Sequence, residues 1–223
     1  MASHSRLEVW TAIVDSGLVP LFYHAEVEIA RRILRACAQA GVRCVEFTNR
    51  GDQAHLVFQD LVRRSGEERA LILGAGSVLD PGTAALYIQL GAEFIVGPAF
   101  NPEVARICNR RKVAYLPGCA TASEISAAEE LGAEICKIFP GGQVGGPEFI
   151  KAILGPMPWA RLMPTGGVEA TQESVNAWIK AGAACLGIGS NLVTKQSVAA
   201  GEFDAIGERA GHILGWIRAA RGV

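Results

Sequence analysis

The chain has 223 residues, half of them hydrophobic, and a net charge of -1. It can bury one large core, and strand–helix barrels of this size are commonly single domains, so residues 1–223 are expected to form one domain. The balanced charge, with a pI near 6.4, leaves no electrostatic case for nucleic acid or an anionic membrane. No apolar run approaches the roughly 18 residues of a membrane span. Met1 to Trp10 lacks a charged-then-apolar leader, and the six cysteines are scattered without a C-x-x-C pair, which points to a reduced, cytoplasmic protein.

Ser3 to Gly17 shows apolar positions at helical spacing (Leu7, Trp10, Ile13, Val14), with Gly17 as a stop. Leu18–Tyr23 is an apolar strand. Glu26–Ala40 is a helix with Ile29, Ile33, Leu34 and Cys37 on one face. Val42–Thr48 is a second strand and Asp52–Ser65 a second helix. The alternation then repeats. The strands are Ala70–Leu73, Glu93–Val96, Val113–Leu116, Ile135–Phe139, Arg161–Pro164 and Ala183–Ile188. The helices begin after Pro81, at Asn101–Pro102, near Thr121 or Ser123, at Pro147 and at Thr171, and the last runs from Glu202 to Ala220. Asparagine followed by proline is a helix cap followed by a first-turn residue.

These are eight strand–helix units, and their strands are apolar rather than alternating, as parallel strands covered on both faces should be. The expected fold is a closed (β/α)8 barrel with an extra N-terminal helix that plugs its bottom. An open doubly wound sheet is the alternative, but the first strand–helix turn lacks G-x-G-x-x-G.

Lys137 stands in the middle of an apolar strand. An unpaired buried ammonium is costly, so it needs a counter-charge or must lose its proton, and a neutral amine is a nucleophile. Active sites of such barrels lie at the C-terminal strand ends. There the second strand offers Glu46, Thr48 and Arg50, which share one side if the strand stays regular. Glu46 and Arg50 are a site candidate or a structural ion pair. Gly74-Ala-Gly-Ser77 reads as a turn that lets backbone approach closely, with Ser77 as a donor. Thr165-Gly166-Gly167 and Gly189-Ser190 end the last two strands, where barrels often hold phosphate on backbone N–H groups. Pro140 and the glycines from Gly141 to Gly146 read as a mobile loop without the G-K-[ST] of a nucleotide P-loop. The histidines at 4, 24, 55 and 212 have no ligand spacing, so no metal or other cofactor is expected.

Two stretches carry a family resemblance. Gly41-Val-Arg-Cys-Val-Glu-Phe-Thr-Asn-Arg50 and Gly132-Ala-Glu-Ile-Cys-Lys-Ile-Phe-Pro-Gly141 resemble the glutamate and lysine segments of the 2-keto-3-deoxy-6-phosphogluconate / 4-hydroxy-2-oxoglutarate aldolases. Val19-Pro20, Gly74 to Pro81, Pro164 to Val168 and Gly189-Ser190 add to it. The resemblance implies a class I aldolase acting through a lysine Schiff base, with Lys137 as that lysine and Glu46 as general acid/base. It implies that Arg50 and Ser77 hold the keto-acid end, that the Gly166–Gly167 and Gly189–Ser190 loops hold phosphate, and that the protein is a homotrimer. Phe47, Asn49, Ile138, Gly141 and Asn191 depart from the usual neighbours of these residues. The rival readings are a phosphosugar isomerase or epimerase on the same barrel and a non-catalytic sugar-phosphate binder.

Overall fold

A computed structural model describes residues 3–63 and 71–222. The expected helix end at Ser65 and strand start at Ala70 lie outside them. The first helix, α1 (Arg6–Ser16), is set by a capping box. The Ser5 hydroxyl accepts from the Glu8 N–H, the Glu8 carboxylate accepts from the Ser5 N–H, and Gly17 at φ 71 closes the helix.

The strands are β1 (Leu18–Phe22), β2 (Cys44–Thr48), β3 (Ile72–Gly76), β4 (Phe94–Val96), β5 (Ala114–Leu116), β6 (Gly118–Cys119), β7 (Cys136–Ile138), β8 (Leu162–Pro164) and β9 (Leu186–Ile188). They pair in parallel as β5-β4-β3-β2-β1-β9 and as β6-β7-β8. β5 and β6 are one stave broken at Pro117, which has no N–H for the ladder. The Pro117 carbonyl still accepts from the Lys137 N–H at 2.8 Å. A bridge between Thr165 and Gly187 joins β8 to β9. Nine segments therefore make the eight staves of a closed barrel.

Outside the staves run α2 (Val27–Gln39), α3 (Ala54–Arg63), α4 (Pro81–Leu90), α5 (Pro102–Arg111), α6 (Ala122–Glu130), α7 (Gly146–Leu154), α8 (Gln172–Lys180), α9 (Lys195–Ala200) and α10 (Phe203–Arg221). The sequence reading has no counterpart to α9. At six residues it is too short for a hydrophobic period, although Thr194 caps it and Gly201 ends it.

Two cores follow from the two-residue period of the strands. Val45, Phe47, Ala75, Cys136 and Ile138 face the helices in the outer core. Val19, Cys44, Ile72, Phe94, Ile135 and Met163 fill the interior together with Val9, Trp10, Ala12 and Ile13 of α1. The first helix is thus the plug. It closes one end of the barrel, and the C-terminal strand ends remain for a site. Among the described residues no helix is long and apolar enough to cross a membrane.

Candidate active site

The interior pattern sends Cys44, Glu46 and Thr48 inward from β2, Lys137 inward from β7, and Ile135 inward just before it. Glu46 is 1% exposed and Lys137 is 4% exposed. The Lys137 Nζ lies 3.6 Å from Glu46 Oε2 and 5.5 Å from the centroid of the Phe139 ring. The counter-charge that the strand lysine requires is therefore Glu46, from the far side of the barrel, and Glu46 does not pair with Arg50. Neither buried oxygen of Glu46 has a hydrogen-bond partner among the described residues. A buried carboxylate with unfilled lone pairs is expensive as pure architecture and suits a group that receives protons or ligand donors.

Room for the pair comes from glycine. β2 and β3 run in register with Glu46 beside Gly74 and Thr48 beside Gly76. A Cβ on Gly76 would overlap Glu46 Oε1, and one on Gly74 would overlap the Phe94 ring. These glycines are strand residues rather than the turn expected of Gly74 to Ser77. Their missing side chains are the space that the carboxylate and the phenyl ring occupy. Ser77 follows, half-buried, at φ 59, a backbone region that non-glycine residues seldom enter.

The strand does not carry its alternation as far as Arg50. β2 ends at Thr48, whose hydroxyl donates to the Phe22 carbonyl at 3.2 Å, and the Arg50 N–H turns back to the Thr48 carbonyl at 2.9 Å. Arg50 is exposed at the rim, on a cleft of about 760 Å³. That cleft also takes in Phe139, Thr165, Gly166, Gly167, Gly189 and Ser190. Lys137, Glu46 and Ser77 are not among its lining residues, whereas Phe139, whose ring centroid is 5.5 Å from the Lys137 Nζ, is. Thr165 is buried, and its Oγ1 has no hydrogen-bond partner among the described residues.

The glycine-rich segment after Pro140 is pinned rather than open. Gly141 and Gly142 donate to the carbonyls of Thr165 and Gly166, both at 2.8 Å. A Cβ on Gly167 would come within 2.7 Å of the Gly142 Cα, so the two loops need glycine to touch. This explains Gly141 as well, since a Cβ there would lie 2.9 Å from the Gly166 carbonyl oxygen.

Other departures from the usual neighbours also have structural reasons. Phe47 packs edge-on to Phe22 and against Tyr23 and Phe58, and Phe58 packs on Tyr87. Asn49 accepts from the Tyr87 hydroxyl at 2.9 Å. Asn191 donates to the Val168 carbonyl at 2.9 Å and ties the two glycine loops together. Its role as a latch was invisible in sequence, because its partner is a backbone carbonyl 23 residues away. Among the described residues no group of three or more histidine, cysteine, aspartate or glutamate side chains is placed to hold a metal.

Comparison with known proteins places the chain among the carbon–carbon lyases. A family model described as "KDPG and KHG aldolase" matches residues 11–209. The chain belongs to that family, whose full names are the 2-keto-3-deoxy-6-phosphogluconate and 4-hydroxy-2-oxoglutarate aldolases. A 2-dehydro-3-deoxy-phosphogluconate aldolase of Treponema pallidum is 33% identical over 201 residues, covering 90% of this chain and 93% of that one. A 2-dehydro-3-deoxy-6-phosphogalactonate aldolase of Escherichia coli is 35% identical over 158 residues, or 70% of this chain and 75% of that one. The crystal structure of KDPG aldolase from Legionella pneumophila, with pyruvate captured as a covalent carbinolamine, superposes with a TM-score of 0.82 at 25% identity. It covers 91% of this chain and 96% of that one. The chain is thus an aldolase of the type that acts on 2-keto-3-deoxy sugar acids.

Proposed function

We propose that the protein cleaves a 2-keto-3-deoxy-6-phospho sugar acid, or 4-hydroxy-2-oxoglutarate, to pyruvate and an aldehyde through a Schiff base on Lys137. The observation that carries this is the buried Lys137–Glu46 pair at 3.6 Å, with both carboxylate oxygens otherwise unpartnered. A pyruvate carbinolamine trapped in the Legionella relative supports the same chemistry.

Glu46 takes a proton from the Lys137 ammonium, the free amine adds to the C2 carbonyl to give a carbinolamine, and Glu46 passes that proton to the carbinolamine hydroxyl, which leaves as water and gives an iminium. The iminium accepts the electron pair of the C3–C4 bond. As that bond breaks, the 4-hydroxyl proton passes to Glu46 and the aldehyde departs. Glu46 returns a proton to C3 of the enamine, water hydrolyses the iminium, and pyruvate leaves. One carboxylate serves each transfer because it is beside the nitrogen throughout. Arg50, at the cleft rim, forks onto the substrate carboxylate, and Ser77 donates at the same end. The Gly166–Gly167 and Gly189–Ser190 loops receive the far end of the substrate.

A coupled assay of pyruvate release from phosphorylated and unphosphorylated 2-keto-4-hydroxy acids tests this. Lys137→Ala should abolish release, and Glu46→Gln should keep substrate binding while losing most turnover. Normal cleavage by Lys137→Ala would reject the assignment.

A further inference from the structure

The cleft extends well beyond the glycine loops. Its charged or titratable lining consists of Tyr23, His24, Glu26, Arg50 and Lys195. Arg50 belongs to the end of β2. His24 follows β1, which lies between β2 and β9, and Lys195 follows the loop that closes β9. Register fixes this. β1 pairs with β9 with Pro20 level with Ile188, so the chain leaving β1 at Tyr23 and His24 rises beside Gly189 and Ser190. After Ser190 the N–H groups of Leu192 and Val193 both donate to the Gly189 carbonyl at 2.9 Å, turning the chain so that Lys195 comes back onto the same cleft.

His24 is held in a definite form. Its Nδ1 lies 3.0 Å from the Glu26 N–H and accepts from it. An accepting Nδ1 carries no proton, so the ring proton sits on Nε2 and that nitrogen is a donor. The side chain is half-buried on the cleft wall, and Lys195 is exposed and lines the same cleft. Against these stands one carboxylate, Glu26, which is exposed at the rim. Backbone amides at the glycine loops bind an anion without reporting its charge. A fixed N–H donor and an ammonium on the same cleft add the charge selection that the glycines lack.

We propose that His24 and Lys195 are specificity-determining residues that select a terminal phosphate on the substrate, the His24 Nε2–H donating to it and the Lys195 ammonium neutralising it. This rests on the aldolase reading above. It makes the phosphorylated sugar acid the preferred substrate and the short unphosphorylated acid a poor one.

His24 also holds the N–H of Glu26, the residue before α2, so its two nitrogens must be separated. His24→Asn keeps an acceptor near the Nδ1 position and loses the distal donor. His24→Gln keeps a donor near the Nε2 position and loses the local acceptor. The readouts are kcat/KM for 2-keto-3-deoxy-6-phosphogluconate, kcat/KM for 4-hydroxy-2-oxoglutarate, and deuterium exchange into the methyl group of pyruvate, which has no distal group. His24→Asn and Lys195→Ala should each lose about 10-fold or more on the phosphorylated substrate, the cost of a hydrogen bond to a charged group. Both should leave the other two readouts unchanged, and His24→Gln should recover most of the loss. Equal losses on both substrates, or a loss in His24→Gln that His24→Asn spares, would show a structural cap and overturn the proposal. Unchanged kinetics in His24→Asn and Lys195→Ala would overturn it as well. Absence of pyruvate exchange in the parent protein would instead remove the aldolase reading, and this inference with it.

Discussion

Replacing Gly76 by alanine tests how tightly the position of Glu46 is held. The added Cβ would overlap Glu46 Oε1 and lie 2.6 Å from its Cγ. Ordinary carbon–carbon contact is about 3.5–4.0 Å, so the glutamate side chain must retreat by about 1 Å. Gly76 lies in β3 and has no positive φ, so the backbone itself accepts alanine and the effect is one of space. A misplacement of about 1 Å in a catalytic group costs on the order of 100-fold in rate. Overpacking of this kind costs about 1–3 kcal/mol of stability, which a domain of ordinary stability survives. Pyruvate release should therefore fall about 100-fold in a protein that remains folded by circular dichroism. Gly74→Ala is the control, because its Cβ meets the Phe94 ring and not the carboxylate. It should lose comparable stability and keep far more of its turnover. A folded Gly76→Ala enzyme with parental turnover would refute the claim that catalysis depends on where this carboxylate sits.

Two further outcomes follow from packing and capping. Gly211 lies within α10 with nothing within 4 Å of its would-be Cβ, whereas a Cβ on Gly207 would sit 3.0 Å from the Ala36 carbonyl oxygen of α2. Gly211→Ala should stabilise by about 1 kcal/mol, roughly 2–4 °C in Tm, and Gly207→Ala should not, because two helix backbones would have to part. Asp80 caps α4, accepting from the Thr83 N–H at 2.9 Å and the Thr83 hydroxyl at 2.6 Å. The Thr83 hydroxyl, then the Thr83 N–H, holds its carboxyl below the ordinary range. A folded value below the unfolded one stabilises at pH above the unfolded value and is lost as pH falls through the folded one. Asp80→Ala should thus cost about 1 kcal/mol at neutral pH, and its Tm gap to the parent should close as pH drops below about 4.

The sequence made the barrel legible because its signal is repetitive. Apolar strands alternate with capped helices, and Asn101-Pro102, Thr121 and Thr171 mark helix starts where the structure has them. Lys137 was conspicuous for a physical reason, a charge in an apolar strand, and Glu46 because its strand carries few other charges. What could not be read were features that depend on neighbours distant in sequence. Gly74 and Gly76 look like a turn until Glu46 and Phe94 fill the space they leave. Gly141 to Gly146 look mobile until the Thr165 and Gly166 carbonyls pin the amides of Gly141 and Gly142, and the Gly146 amide folds back on the Gly141 carbonyl. Arg50 looks like an inward strand residue until the strand ends at Thr48. Local pattern gives the period of a strand, but not where hydrogen bonding to a neighbour ceases.

The central claim is that the ε-nitrogen of Lys137 forms a covalent bond to the keto carbon of the substrate. Incubation with pyruvate and borohydride, followed by proteolysis and mass spectrometry, tests it directly. The expected result is one reduced pyruvyl group on the peptide carrying Lys137, absent when pyruvate or borohydride is omitted and absent in Lys137→Ala. Unmodified protein, or an adduct on another lysine that persists in Lys137→Ala, would contradict the account.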